Sequence, residues 1–323
     1  MRKFYKAQRD PIGFLCDSRF GLLRFLGTTL QKNRVSRFRQ AANAAADMPI
    51  GVIMTAYNTG DLLERAALSV LQQSHKALEL WIIDDASSDD TPDVIKKLMY
   101  RDERVKGFRS KKNHGTYWSK NWCLHHIKTP LVTFHDSDDV SLPDRLKQQL
   151  GAMLVNKKLV GTTARWKRVN ADGQAVRIDG RYERTAAITL MVWRERALQS
   201  LGYFDTVRIS ADTEYLSRIR HKLGRRALYD GREVLYEGLI REASLTRGER
   251  SGFDWTGDTT DQRRQLTGDR LSYHESFKAW HRGEAGFTKL QRIEYPQVER
   301  PFTAPQSLLR DCSDQDLDSV ERL

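Results

Sequence analysis

An α/β fold with a mostly parallel sheet is predicted for this 323-residue chain by three observations. Strand-like apolar runs alternate with helix-period segments from residue 50 onward. The runs are nearly continuous rather than alternating in polarity, and acidic residues stand at their carboxyl ends. Short, wholly apolar strands belong inside a sheet covered on both faces, and such sheets bind ligands beyond the strand carboxyl ends.

Residues 1–47 interleave charge with Phe14, Leu15, Phe20, Leu22, Leu23, Phe25 and Leu26, a pattern for one or two short amphipathic helices. Pro49 then bounds IGVIMTA (50–56), which reads as a buried strand ending in the turn-forming YNTGD. The next segment carries Leu62, Leu63, Ala66, Ala67, Val70 and Leu71 at helical spacing, with Thr59 or Asp61 as N-cap. LELWIID (78–84) is a second strand, SSDDTPDVIKKLMYR a helix with Pro92 in its first turn, and VKGFRS a third strand. A helix around 117–127 leads to LVTFHDSDD, another strand ending in acids, and a further helix starts at Pro143. Beyond 160 the rhythm loosens into a hairpin turned at Asn170–Gly173, a loop opening a helix within 207–225, and the strand-like GREVLYEGLIRE. After about 246 the chain is polar, with SYHESFKAWHRG as a helix and an acidic tail. The reading gives a basic helical arm at 1–47, an α/β domain at 48–250, and a C-terminal helical extension with a polar tail at 251–323.

Seven Trp, 11 Tyr and 12 Phe supply a core and exclude wholesale disorder. No apolar run approaches the roughly 20 residues that span a bilayer, and Arg9, Asp10 and Pro11 interrupt the basic N-terminus before a secretory h-region. Cys16, Cys123 and Cys312 lie far apart without metal-ligand spacing, so a reducing, cytoplasmic setting is expected. The 54 Lys and Arg against 42 Asp and Glu leave a formal +12, of which residues 1–47 carry +7 and the remaining chain +5. That balance admits nucleic acid, acidic lipid or anionic small molecules. Acidic strand ends would repel a nucleic-acid backbone, so no nucleic-acid partner is expected.

The chemistry concentrates at those ends. Asp84-Asp85 closes the second strand and Asp136-Ser137-Asp138-Asp139 the fourth, which crowds carboxylates along one sheet edge. Like charges about 4 Å apart repel by roughly 1–4 kcal/mol, and a divalent cation reverses that. In an extended segment Asp136 and Asp138 share one face, and an all-oxygen set suits Mg²⁺ or Mn²⁺. Asp139 also reads as a turn former or helix N-cap, and Tyr57 as core packing at a strand end. His135 is out of phase with the acids and faces away. Trp118, Trp122, His125 and His126 read as helix packing or acceptor-site lining.

Four segments in this order, VIMTAYN, WIIDDASSDDT, KNHGTYWSKN and FHDSDD, resemble the family 2 glycosyltransferases over about residues 50–250. The resemblance implies a GT-A nucleotide-sugar-binding fold, a Rossmann-like, mostly parallel sheet wrapped by helices. By the same resemblance Tyr57 stacks on the nucleobase and Asp85 accepts its N–H, with Asp84 in support. Thr55 and Ala56 bring backbone close to the nucleotide. Asn113, Gly115 and Asn121 shape its pocket, and Lys112 or Lys120 faces phosphate. Asp136 and Asp138 match the Asp-x-Asp motif, Asp138 as metal ligand and Asp136 near the ribose or metal. The family's general base matches Asp212, with Ala211 where Glu is usual, Arg218 downstream, and Glu214 as competitor. At 241–246 this chain lacks a His that many relatives carry, and Arg241 either neutralises phosphate or sits on a solvated strand end.

The implied function is a metal-dependent inverting glycosyltransferase. It would move a sugar from a nucleotide sugar, UDP-linked, to a hydroxyl of a cell-surface glycan or lipid-linked glycan acceptor such as a capsule or lipopolysaccharide chain. The basic arm would lie on an anionic membrane surface through residues 1–40, making the enzyme peripheral on the inner face of the membrane, or else dock on its own domain or a partner. An inactive scaffold of a synthase complex and a basic nucleic-acid-binding protein are the competing readings.

Overall fold

Asp10 opens the described part of the chain by accepting the Gly13 N–H at 3.0 Å, which caps α1 (Pro11–Cys16). The computed structural model describes residues 10–241, 244–245, 247, 252–258, 260–284, 292–310 and 316–323, so Arg2, Lys3, Lys6, Arg9 and Cys312 lie outside the described residues. After α1 comes a single helix of 24 residues, α2 (Gly21–Ala44), longer than the short segments the sequence suggested. Its second half is docked on the domain. Phe38 and Ala42 are buried, and the Phe38 ring meets Tyr229 edge-on at 5.5 Å. Arg39 pairs with Asp144 at 2.8 Å, and Gln31 donates to Glu233 at 2.6 Å.

The domain begins with β1 (Ile50–Ala56), buried at every position, and continues through α3 (Gly60–Leu71), β2 (Leu78–Asp84), α4 (Thr91–Arg101) and β3 (Val105–Ser110). Then follow α5 (Thr116–His126), β4 (Leu131–Asp136), the short β5 (Val140–Ser141) and α6 (Arg145–Val155). β1 lies parallel to both β2 and β4, and β2 to β3, so the strand order β3-β2-β1-β4 is a parallel sheet with crossover helices. Side-chain alternation divides its core between two faces. Ile53 packs with Trp118, Trp122 and Phe134, whereas Val52 and Met54 pack with Leu63, Val70, Leu146 and Leu150. α2 crosses α6 at Gly151, where a Cβ would stand 2.0 Å from the Phe38 carbonyl oxygen, so only glycine admits the approach.

The second half is mixed. β6 (Gly161–Val169) and β7 (Ala175–Ile178) form the expected hairpin, and β8 (Glu183–Trp193) runs antiparallel to both β4 and β6. α7 (Arg194–Leu201) and α8 (Ala211–Lys222) precede β9 (Leu228–Leu239), which is parallel to β6. Beyond residue 250, the expected helix α9 (Gly268–Arg282) is accompanied by strands. β10 (Phe253–Gly257) and β11 (Asp261–Leu266) extend the sheet past β7, and β12 (Val320–Arg322) pairs with the free edge of β3. α9 buries Tyr273, Phe277 and Trp280 in the core, so this part of the chain completes the fold rather than trailing from it. No described helix is long and apolar enough to cross a membrane.

Candidate active site

Strand register brings the expected residues to one edge. Thr55 stands opposite Asp136 of β4, and Ala56 opposite Asp84 of β2, so three strands deliver their last residues at the same level. The edge is the carboxyl end of the parallel sheet, where strand order switches direction around β1 and leaves a crevice. The Thr55 hydroxyl is 2.7 Å from that of Thr116, which ties β1 to the start of α5. Tyr57, half exposed beyond β1, is not core packing.

The two acids after β2 are inward-facing. Asp84 is fully buried, accepts the Ser87 N–H at 3.0 Å and pairs with Arg109 at 3.3 Å. Asp85 accepts the His114 and Gly115 N–H groups at 3.0 and 2.7 Å and the Ser119 hydroxyl at 3.1 Å. Burial raises both carboxyls, against the pull of these donors. Asp85 therefore moulds the turn before α5. Gly115 holds φ +93°, a left-handed conformation that favours glycine and lets its N–H face Asp85. Asn113 is partly buried in the same turn.

Asn121 is engaged inside the fold. It is buried and spends both ends of its amide on Phe204, donating to the carbonyl at 2.8 Å and accepting the N–H at 2.9 Å. It therefore acts by fixing the loop before α8. The two lysines separate: Lys112, in the turn before α5, pairs with Asp316 at 2.8 Å, while Lys120, buried on α5, reaches Asp136 at 3.6 Å. Trp118 and Trp122 are core residues, Trp118 stacking on His114 at 3.9 Å. His135 is buried against Tyr236, and burial pushes its imidazole down to about 3, so it is neutral.

Asp136, Asp138 and Asp139 differ sharply. β4 ends at Asp136 and the chain turns at once, so 136–138 is not extended as expected, although Asp136 and Asp138 remain within electrostatic reach. Desolvation raises the Asp136 carboxyl, Lys120 draws it back, and Asp138 and Asp212 raise it further, with the balance upward. Asp138 accepts from Arg241 Nε at 2.6 Å. Asp139 is buried and accepts the Leu239 N–H at 2.8 Å, anchoring the end of β9. Burial and the two neighbouring acids push it well above the usual carboxylate range.

Among the described residues, no three His, Cys, Asp or Glu side chains gather as a metal site. The two carboxylates of Asp136 and Asp138 fit Mg²⁺ or Mn²⁺ only when ligand oxygens, such as those of a diphosphate, complete the shell. Lys120 and Arg241 balance them otherwise.

The residues around the candidate base sort as clearly. Ser210 precedes α8 at φ +72°, and the strained turn sets the helix N-terminus in the crevice. Asp212 is partly exposed there, its Oδ1 accepting the Thr213 N–H at 2.6 Å, and its charge is felt by both Asp136 and Tyr117. Burial and Asp212 together raise the Tyr117 phenol well above its ordinary value. Glu214 lies on the inner side of α8 with no exposure, paired with Arg218 at 2.7 Å and with His281 Nε2 at 2.9 Å. Burial alone would raise Glu214, but Arg218 and His281 outweigh it and hold the carboxyl below its usual range. Arg218 also donates to the carbonyls of Leu201 and Tyr203 at 2.6 and 2.9 Å. Glu214 is thereby a buried brace and leaves the crevice to Asp212.

The ordered edge and its acids match a known sequence profile. Glycosyl transferase family 2 matches residues 51–217, more than half of the chain. The chain belongs to that family. An uncharacterized glycosyltransferase of Haemophilus influenzae is 34% identical over 146 residues, 45% of this chain and 58% of that protein. The Escherichia coli UDP-Glc:alpha-D-GlcNAc-diphosphoundecaprenol beta-1,3-glucosyltransferase WfgD is 32% identical over 110 residues, 34% of this chain and 43% of that protein. The chain thus spans about half the length of these relatives. Among solved structures, S. aureus TarS 1-349 with UDP-GlcNAc superimposes over 61% of this chain and 60% of that one, at 21% identity and a TM-score of 0.49.

Two contributors escaped the linear reading. Tyr236 of β9 accepts the Asp136 N–H at 3.1 Å, and Arg168 of β6 acts electrostatically on Asp136 and Asp139. Both come from strands far along the chain, and no local motif marks them.

Proposed function

We propose that this chain transfers a sugar from a nucleotide sugar, with UDP as the nucleotide, to a hydroxyl of a cell-surface or lipid-linked glycan, with inversion at the anomeric carbon. The reading is carried by Asp136 and Asp212 lying within electrostatic reach of one another, an acid that ends a strand and an acid that opens a helix. The WfgD relative, a UDP-glucose-dependent enzyme acting on a diphosphate-linked lipid by its name, supports both the donor and the acceptor class.

Asp212 takes the proton of the acceptor hydroxyl as its oxygen attacks the anomeric carbon, and the bond from that carbon to the diphosphate oxygen breaks on the opposite side. A single carboxylate base with in-line displacement inverts the centre. Asp138, with Asp136, would hold Mg²⁺ or Mn²⁺, whose charge neutralises the departing diphosphate. Lys120, beside Asp136, adds a fixed cation at the same edge. Tyr57 offers its half-exposed ring to the uracil, and the turn that Asp85 organises forms the rim.

The arm suits attachment to an anionic bilayer surface on the cytoplasmic side. Phe20 is 74% exposed and Phe25 66%, with Leu22, Leu26 and Leu30 also exposed near Arg19 and Arg24. α2 is held by the packing of Gly27 on α1 and of Phe38 and Ala42 in the core, and these exposed apolar side chains at its start stay available.

Calorimetric titration with UDP and with GDP, each with Mn²⁺ or with chelator, tests the donor site. UDP binding that is lost with chelator is the expected result, and no binding of either nucleotide under any condition would overturn it.

A further inference from the structure

Close to the end of β9 the sheet carries a narrow pocket of about 30 Å³ that opens to solvent, whose walls include Trp166, Arg168, Arg184, Arg247, Trp255 and Arg264. Four guanidinium groups around one small space are costly unless something anionic balances them. One carboxylate is at hand: Asp179 pairs with Arg184 and, at 3.5 Å, with Arg264. Arg168 and Arg247 have no carboxylate within ion-pair distance among the described residues. Arg168 donates to the Leu239 carbonyl at 2.8 Å, its buried Nε lacks an acceptor, and Arg247 donates to Gln262. Both guanidinium groups lie on indole faces, Arg168 4.6 Å from the Trp166 ring and Arg247 4.1 Å from Trp255. Burial lowers the guanidinium groups of Arg247 and Arg264, and the neighbouring arginines lower them further, Arg168 for both and Arg184 for Arg264.

The pocket adjoins the crevice. Ile240, on its wall, is bracketed by Leu239, which Asp139 holds, and by Arg241, which holds Asp138. On the side of Asp212, Arg270 senses both that acid and Arg264, and stacks on Phe253 at 4.2 Å. Arg241 beside Asp138 and Arg270 near Asp212 thus connect the pocket's cations with the acids of the crevice.

We propose that this pocket is an acceptor subsite for an anionic saccharide, its arginines, held in place on the indole faces, binding a phosphate or carboxylate group while the sugar ring stays at the open mouth. An arginine fork pairs with two oxygens of either anion at once, and the indole faces hold the guanidinium planes in position to do so. The proposal rests on the glycosyl-transfer reading above and adds the acceptor's chemical class to it.

Calorimetry on the full chain with glucose 1-phosphate, glucuronate and methyl glucoside, each with and without saturating UDP and Mn²⁺, tests it. One or both anionic sugars should bind at least about tenfold more tightly than methyl glucoside, the size of one lost charge-assisted contact. The tighter of the two identifies the anion. Arg247→Gln with Arg264→Gln should remove that preference and leave UDP affinity unchanged. Should the pair not fold, Arg247→Lys, which keeps charge but loses the fork, should weaken the same binding. Equal affinity for methyl glucoside, or insensitivity to these substitutions, would overturn the proposal. Suppression of sugar binding by UDP would also overturn it, by assigning the arginines to the donor diphosphate. Failure of UDP to bind at all would sink the donor reading while leaving the sugar titrations to decide the pocket.

Discussion

Arg241 Nε stands 2.6 Å from Asp138 Oδ2, so the acid that the Asp-x-Asp pattern offers to a metal is held by a guanidinium. A cation entering beside Asp138 must separate the two. Arg241→Gln is therefore expected to lower, several-fold, the Mn²⁺ concentration for half-maximal UDP binding, measured by titration at fixed nucleotide. A rise instead would show that Arg241 contributes more by contacting the diphosphate than by guarding the acid.

Asp212→Asn keeps the size of the side chain and removes its basicity. Turnover should fall about 10²–10⁴-fold with UDP affinity and melting temperature unchanged, as for loss of a general base. Initial rates under saturating donor give the answer, and near-normal turnover would end the assignment.

Glu214→Gln should act on stability, because it leaves Arg218 buried without its charge partner. A loss of about 3–5 kcal/mol is expected from denaturant unfolding. The pH dependence has a defined sign. Since Glu214 is held below its ordinary value in the fold, its contribution is complete above the unfolded glutamate pKa of about 4.3 and drains as pH falls through the lower folded value. The wild type should lose stability with acidification more steeply than Glu214→Gln, and parallel curves would show that Glu214 is not depressed.

At the crossing of α2 and α6, Gly151→Ala places a methyl against the Phe38 backbone, and relief requires the helices to part. Overpacking of this kind costs about 1–3 kcal/mol. The melting temperature should fall and proteolysis of the arm should quicken. An unaltered digestion pattern would mean that the arm is held elsewhere.

Phe20→Glu with Phe25→Glu alters exposed residues at the N-cap and first turns of α2 and should leave folding intact. Cosedimentation with vesicles containing anionic lipid should drop several-fold, whereas vesicle binding equal to wild type would remove the membrane role proposed for the arm.

The first half of the fold was legible because its determinants are local. An apolar run such as 50–56 is a buried strand in any α/β context, and helix spacing in 60–71 follows from the same seven-residue reach. The match of β1, β2, β3 and β4 to the expected strands reflects that. The strands β10, β11 and β12 were hidden because their partners lie far away. β12 gains its hydrogen bonds from the edge of β3, some two hundred residues earlier, and its own residues carry little β signal.

The same division runs through the site. The sequence by itself determined that acids end two parallel strands and that another acid opens a later helix, since strand and helix boundaries locate residues along the chain. Only the tertiary structure decided which way each side chain turns. Asp212 and Glu214, two positions apart on one helix, part between crevice and core because a helix rotates them about 200° relative to one another. Asn121 turned to Phe204, and Asp85 to the 114–115 backbone, because a buried polar group must find a partner wherever the packing offers one. The arginines around the pocket close to the end of β9 came together from β6, β8, β11 and the segment after β9, through sheet pairings that no local pattern encodes.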